Sequence, residues 1–534
     1  MSDPNQEHQI ARSASIISIG DVLSRVMGLV RETVIADMFG ASGAVSAWTI
    51  ATQVPLTLYD TFVGGLVSSA LVPTFSEYAA PGRRQELWHI ASLVLTLAAL
   101  GLGFVVLILE LGLPLFTRLL VQFEDPSLQI LTMRLLRIVV LGVFFLGLSG
   151  ILTALCQALR RFVLPAFTAA LYNAAIVASA LILGSRWRDV RVLAIGLVVG
   201  AALQIVLQIP ALRGMRFHLT LDLRHPVLRH ILTLYSPVIL SLVVALLGVF
   251  IDRNLASRTG NKTASWMGYA TTLRQLPLGL VSIAISTAIL PTLSAQAAQE
   301  EGDAQDGEEA RSQFRATLAG GLRLVLVLTL PAAVGLLVLA RPLAALLFQH
   351  GEFTEADTLQ TALALRYYLV GMVGYAVDYP LVFAFYARKD TFRPAMVGVL
   401  GVVIYLLVAM PTYRTLGMVG LILANDAQLV GHAMVMIGLF ERRIGTLRGL
   451  GIGRTTVKSL LASALMGGAT YGTTRGVELL FPAHGRPLWA ITVLAGGVVG
   501  LGVYAALCAL LRVDELQILL ALAGRLVASR RGHP

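Results

Sequence analysis

The stretch "SSALVPTFSEYAA" (68–80) returns 218 residues later as "STAILPTLSAQAA" (286–298), identical at seven of thirteen positions. Working outward, "QVP" at Gln53–Pro55 pairs with "QLP" at Gln275–Pro277, offset by four further residues, about one helical turn. Downstream, "GLVVGAALQ" (196–204) pairs with "GLILANDAQ" (420–428), and a proline-alanine after a short basic linker recurs at Pro165-Ala166 and Pro394-Ala395. The chain therefore reads as a tandem duplication. Its repeats lie near 16–220 and 228–440. Two copies of this kind, each with an even number of membrane spans, enter the bilayer from the same side. Their pseudo-two-fold axis then lies along the membrane normal, as in transporters that work by alternating access.

The composition agrees. Of 534 residues, 56% are hydrophobic and 13% charged, with a mean hydropathy of +0.78. Soluble domains carry about 25% charged residues, so this is an integral membrane protein. Apolar runs of about 20 residues give fourteen expected spans and an all-α polytopic fold. Two six-helix halves are followed by two additional helices at 455–511, with tails at 1–15 and 512–534. The net charge of +11 comes largely from short loops such as Arg83-Arg84, Arg160-Arg161 and Arg442-Arg443. These fall in alternate connections, which the positive-inside rule explains without nucleic acid and which places both termini in the cytoplasm. The acidic segment "QEEGDAQDGEEAR" (299–311) reads as a mobile linker. Cys156 and Cys508 sit in apolar runs and read as packing residues.

Charge inside a span is the functional signal, because it costs about 2.5–3.5 kcal/mol at the bilayer centre even on insertion scales. The first span carries Asp21, Arg25, Arg31 and Glu32. Asp21 and Arg25, four apart, can pair on one helix face, while Ser24 and Arg31 share another. Asp60 lies in the second span, Asp252-Arg253 in the seventh and Arg274 in the eighth; Asp378 and Asp426 are further intramembrane acids. Each is either an internal ion pair joining helices or part of a polar cavity. Excess arginine suits an anionic substrate group, since the guanidinium fork recognises phosphate bidentately. "GLGIGRTT" (449–456) lacks the Gly-Lys-Ser/Thr ending of a phosphate loop, and the histidines show no metal spacing. Gly196 and Gly200 form a GxxxG motif that reads as close helix packing.

"LSRVMGLVRE", "ALVPTFSEY", "VFIDRNLAS", "SWMGYA", "LPLGLVSIAISTAILPTLS", "FQHGEFTEAD" and "YARKDTFRPA", with Asn173 in "PAFTAALYNAAI", resemble the MurJ (MviN) family of lipid II flippases. That family lies within the multidrug and polysaccharide-lipid exporter superfamily. The resemblance spans about 16–440 and implies an arginine-lined cavity for a pyrophosphate-sugar headgroup, with the lipid tail in a groove near 455–511. The family's first-helix arginines carry over to Arg25 and Arg31, and its seventh-span acid-arginine pair to Asp252 and Arg253. Other positions depart. Ser46-Ala47-Trp48 replaces Asp-Ala-Phe, Asp60 stands where the family carries arginine, Gly64-Gly65 replaces Glu-Gly, and Thr271-Thr272 replaces an acid-arginine pair.

The expected substrate-binding set is Ser24, Arg25, Arg31, Asp60, Asn173, Asp252, Arg253 and Arg274, with no catalytic or metal residues. The expected function is outward translocation of a polyprenyl-pyrophosphate-linked glycan, lipid II above all, across the bacterial cytoplasmic membrane. The alternatives are an ion-coupled exporter of small amphiphiles and a non-transporting membrane scaffold. No cofactor is expected. Coupling is open between the membrane potential, Na+ and H+. The expected partners are membrane lipids, the lipid-linked substrate and the cell-wall synthesis machinery, around a monomer.

Overall fold

The computed structural model describes residues 4–59, 67–80, 82–300, 304–481 and 485–515. Asp60 and Gly64-Gly65 lie outside them, as does most of the C-terminal tail. Among the described residues every regular element is helical. In chain order these are α1 (Pro4–Phe39), α2 (Gly43–Tyr59), α3 (Val72–Tyr78), α4 (Arg84–Leu120), α5 (Pro126–Ala158), α6 (Val163–Ala166), α7 (Thr168–Ser179), α8 (Ser185–Trp187) and α9 (Arg191–Gln208). There follow α10 (Pro226–Arg258), α11 (Thr263–Leu278), α12 (Ala284–Glu300), α13 (Ala304–Phe348), α14 (Glu355–Ala387), α15 (Phe392–Leu416), α16 (Met418–Arg443), α17 (Ile452–Leu480) and α18 (Arg486–Leu510). Ten described helical segments are long and apolar enough to cross a membrane. α1, α10 and α17 are of comparable length, and the first two carry the intramembrane charges Arg25, Arg31, Asp252 and Arg253.

The chain divides into two compact units. One comprises 1–268 with 350–354, the other 269–349 with 355–534. In the first, α5 is the central helix: two-thirds (67%) of its most apolar window is buried, against 22% for α4. The outer face of α4 presents Phe104, Leu107 and Leu111, a stripe that lipid rather than water accommodates. α5 starts where the Asp125 carboxylate accepts from Ser127 N at 2.8 Å, with Pro126 in the first turn, a pairing that satisfies otherwise orphaned N–H groups. α10 packs against α2 and α4 in this unit. In the second unit α14 takes the central place, packed by α12, α13 and α16. α17 and α18 pair with each other and against α13.

The duplication is visible in three dimensions. Phe75 and Leu293, equivalent positions of the opening repeat, are both fully buried. Phe75 packs in a cluster with Leu152, Leu155 and Cys156 of α5; Leu293 packs with Leu381, Ala384 and Phe385 of α14. α5 and α14 end alike. Arg160 (φ 57°) and Lys389 (φ 58°) are left-handed, and the next residue's N–H donates five residues back, Arg161 N to Cys156 O and Asp390 N to Phe385 O. This is the Schellman helix stop, built on a basic side chain rather than glycine in both copies. Each unit also places a five-residue π-helical segment close to the repeated motif, at Val67–Leu71 and Gly279–Ile283. The GxxxG reading holds: a Cβ on Gly196 would come within 2.9 Å of Ile176 Cα, and one on Gly200 within 2.9 Å of Tyr172 O.

The acidic segment is shorter as a linker than its composition suggests. α13 already begins at Ala304, and Glu300 ends α12 in an ion pair with Arg388, with Arg311 3.7 Å away. Residues 301–303 lie outside the described residues. Cys156 and Cys508 are buried free thiols.

Candidate functional site: the arginine network of the first unit

The first helix carries its charge on two faces. Ser24, Gly28 and Arg31 follow the i, i+4, i+7 spacing of one stripe, and this stripe meets α7 at Asn173. Arg31 Nη1 donates to Asn173 Oδ1 at 2.9 Å. The Asn173 amide nitrogen donates in turn to Ala169 O at 3.1 Å and to Ser24 O at 3.4 Å. Gly28 leaves the room: a Cβ there would sit 3.8 Å from Asn173 Nδ2. Arg31 also donates through Nε and Nη2 to Glu32 Oε1, at 3.1 and 2.6 Å. The Arg31 side chain is 25% exposed. Three of the expected residues, Ser24, Arg31 and Asn173, thus form one hydrogen-bonded group across two helices.

The expected Asp21–Arg25 pair is not formed among the described residues. Asp21 is exposed and Arg25 half-buried, so the four-residue spacing puts them near each other without bringing the charges together. The paired arginine is Arg31. Arg25, one and a half turns earlier, keeps its guanidinium clear of any described carboxylate.

Asp252 and Arg253 lie on α10 of the same unit, 3.6 Å apart. Arg253 Nε and Nη1 are buried without a hydrogen-bond partner, so this arginine keeps donors in reserve. The end of α10 is tied to the α4–α5 connection by Asn254 Nδ2 donating to Leu119 O at 2.7 Å and by Gln122 N donating to Ser257 Oγ at 2.8 Å. Arg274, on α11, belongs to the second unit. It lies over the Tyr368 ring at 4.4 Å and donates to Asn425 Oδ1 at 3.4 Å. The structure therefore does not gather all the expected residues into one described cluster: Ser24, Arg31 and Asn173 stand together, Asp252–Arg253 form their own pair, and Arg274 has separate neighbours.

Ser46, one of the departures from the family pattern, has a structural role that sequence could not supply. Its buried hydroxyl accepts from Ser265 N at 3.1 Å, satisfying an orphan donor in the first turn of α11. At the end of α1, Asp37 Oδ1 lies 2.8 Å from His350 Nδ1, and Glu352 N donates to Asp37 O at 2.9 Å. Gly40 (φ 61°) and Gly351 (φ 55°) are required there. A Cβ on the first would meet Glu352 O at 2.4 Å, and one on the second would meet Asp37 O at 2.1 Å.

Comparison with known proteins fits this arrangement. The family profile described as "Lipid II flippase MurJ" matches residues 35–482. A probable lipid II flippase MurJ of Haemophilus influenzae is 31% identical over 402 residues, covering 72% of this chain and 77% of that protein. The Vibrio cholerae counterpart is 28% identical over 539 residues, covering 94% and 96%. Among solved structures, a lipid II flippase MurJ in an inward closed conformation shares the fold with a TM-score of 0.75 at 24% identity, over 92% of this chain and 98% of that one. An inward-facing multidrug MATE transporter of the MOP superfamily follows at a TM-score of 0.66 and 14% identity, over 80% and 95%. With its duplicated helical halves and its arginine-bearing first helix, this multi-pass membrane protein belongs to the MurJ family of lipid II flippases.

Proposed function

We propose that this chain translocates lipid II, a polyprenyl-pyrophosphate-linked glycan, from the inner to the outer leaflet of the bacterial cytoplasmic membrane by alternating access. Family membership over residues 35–482 carries the reading. The Arg31–Asn173–Ser24 group supports it, because Asn173 Oδ1 accepts a charge-assisted bond that fixes one edge of the guanidinium while Glu32 holds another. Arg25 supplies a second cation. The pyrophosphate is held by Arg25 and Arg31, with Arg253 adding buried donors beside Asp252. α17 and α18, whose Leu494, Val498 and Leu501 face outward, accommodate the polyprenyl tail. Both termini lie in the cytoplasm, and the chain acts as a monomer alongside the cell-wall synthesis machinery.

The test is growth of a flippase-depleted bacterium expressing this chain. Rescue is expected, with loss of rescue by Arg31→Ala at unchanged membrane level. Failure of the well-inserted wild-type chain to rescue or to move labelled lipid II in vesicles refutes the reading.

A further inference from the structure

In the second unit α14 and α16 share one seam, and their contacts advance in the same direction along both helices. A Cβ on Gly371 would meet Asp426 Oδ1 at 2.2 Å, and one on Gly374 would meet Val430 Cα at 3.1 Å. Next, Asp378 Oδ1 lies 2.7 Å from His432 Nδ1. These two side chains are 13% and 16% exposed. His432 is about 21 Å from the start of α16 at 1.5 Å per residue, close to the middle of a 26-residue helix. The pair is an acid and an imidazole deep in a membrane-spanning layer, 54 residues apart in sequence.

The bland reading is a structural ion pair joining two helices. The unit already builds such pairs from arginine, as at Arg388–Glu300 and Arg323–Glu515. Arginine keeps its charge at all relevant pH values; imidazole is the one side chain whose ordinary range straddles neutrality. The charge of the Asp378–His432 pair therefore alternates between −1 and 0 as the ring gains or loses a proton.

The surroundings match that alternation. On α14 the Tyr375 and Tyr379 rings flank Asp378 in sequence with centroids 5.3 Å apart, and Arg274 lies over Tyr368 of the same helix. Asp426, on α16, is 3% exposed and lies against Gly371 of α14. From α15, Gly401 faces the imidazole edge (a Cβ there would be 3.8 Å from Cδ2), and Tyr405 is its buried titratable group. α12 offers only Glu300 at its end, the 279–283 segment none, and α13 none between Arg323 and Arg341.

We propose that Asp378 and His432 form a proton-binding site, at which the transport cycle takes up and releases one proton. The coupling rests on the flippase reading; the site does not. In the unloaded pair Nδ1–H donates to the Asp378 carboxylate and Nε2 holds a lone pair. Uptake places the proton on Nε2, giving imidazolium beside carboxylate, and release reverses it.

Two measurements on the full chain test this. The first is substrate-free: 15N-histidine NMR in lipid nanodiscs, with the His432 signal assigned by its loss in His432→Gln. Across a series from about pH 5 to 8 the ring is expected to pass between its singly and doubly protonated signatures, and Asp378→Asn to change that response. A ring that stays in one protonation state across that range overturns the site. The second uses vesicles with fluorescent lipid II and an imposed pH gradient. The gradient is expected to change the wild-type flipping rate about fivefold or more, while Asp378→Asn and His432→Gln still flip but lose the response. Wild-type flipping indifferent to the gradient, or variants that respond like wild type, overturns the coupling. Absence of flipping in all vesicles overturns the flippase reading alone, and the NMR titration then decides the proton site.

Discussion

Asn173→Ala isolates what the Arg31 network contributes. The substitution removes the 2.9 Å bond from Arg31 Nη1 and the two donations to Ala169 O and Ser24 O, but leaves both arginines in place. A buried hydrogen bond to a charged group is worth about 1.5–3 kcal/mol, and the 25% exposure of Arg31 puts the loss at the lower end, about 1.5 kcal/mol. That energy holds the guanidinium in one orientation, so its loss lowers the population of the anion-ready rotamer about tenfold. Without Asn173, the remaining tie is to Glu32 at 2.6 Å, which draws the charge toward a carboxylate and away from substrate. The expected outcome is a flipping rate about tenfold below wild type in vesicles with labelled lipid II, at a melting temperature within a few degrees of it. Glu32→Gln in the same background removes the competing carboxylate and restores part of the rate. If Asn173→Ala flips at the wild-type rate while Arg31→Ala does not, the positioning argument is wrong and Arg31 acts without its neighbour.

The remaining predictions concern stability and pH. Ser46→Ala leaves the Ser265 N–H without its acceptor and is expected to cost about 1 kcal/mol, read as a lower midpoint in thermal unfolding; Ser46→Asp, which restores an acceptor at a helix N-terminus, is expected to cost less. Lys389→Gly relieves a left-handed non-glycine residue (φ 58°) worth about 1 kcal/mol, partly offset by the freer unfolded chain, so the midpoint should rise slightly or stay level; a clear fall would show that the lysine side chain matters more than its backbone. Asp189, in the connection before α9, has its pKa lowered: partial burial pushes it up, but hydrogen bonds from the Arg191 side chain and backbone, together with the Arg191 and Arg134 charges, outweigh that. A depressed carboxyl stabilises the fold above its unfolded pKa of about 3.9, and this contribution disappears as pH falls through the folded value. Asp189→Asn should therefore lower stability slightly at neutral pH and not at strongly acidic pH, measured as thermal midpoints across a pH series.

Much of the fold was legible because the signals were local and periodic. The duplicated proline motif located two structurally equivalent helix pairs, down to the matching burial of Phe75 and Leu293. The shared face of Ser24 and Arg31 was legible for the same reason, since helix periodicity fixes which residues lie together. What failed depended on partners far away in sequence. Asp21 and Arg25 have the right spacing, but spacing on one helix does not say which neighbour the second helix presents, and α7 presents Asn173 to Arg31 instead. Ser46 reads from sequence as a missing charge because its partner, Ser265, is 219 residues away. His432 looks idle among scattered histidines for the same reason, its acid being on another helix. The acidic segment misleads through composition: net charge suggests a solvated linker, yet Glu300 finds Arg388 and Arg311, and α13 begins at Ala304.

The residues that close over the end of α1 come from 350–354, yet the rest of that unit ends at 268. The first unit is therefore not a contiguous piece of polypeptide. On the ribosome, once residue 268 has been made, Asp37 and Gly40 still wait for His350, Gly351 and Glu352 through about eighty further residues, at a synthesis rate of about 5–20 residues per second. A nascent chain carrying Met38→Cys and stopped near 268 should display an unfinished α1 terminus open to cysteine-reactive probes, and one extended past 354 should not. Assembly order, as well as architecture, is written into that short connection.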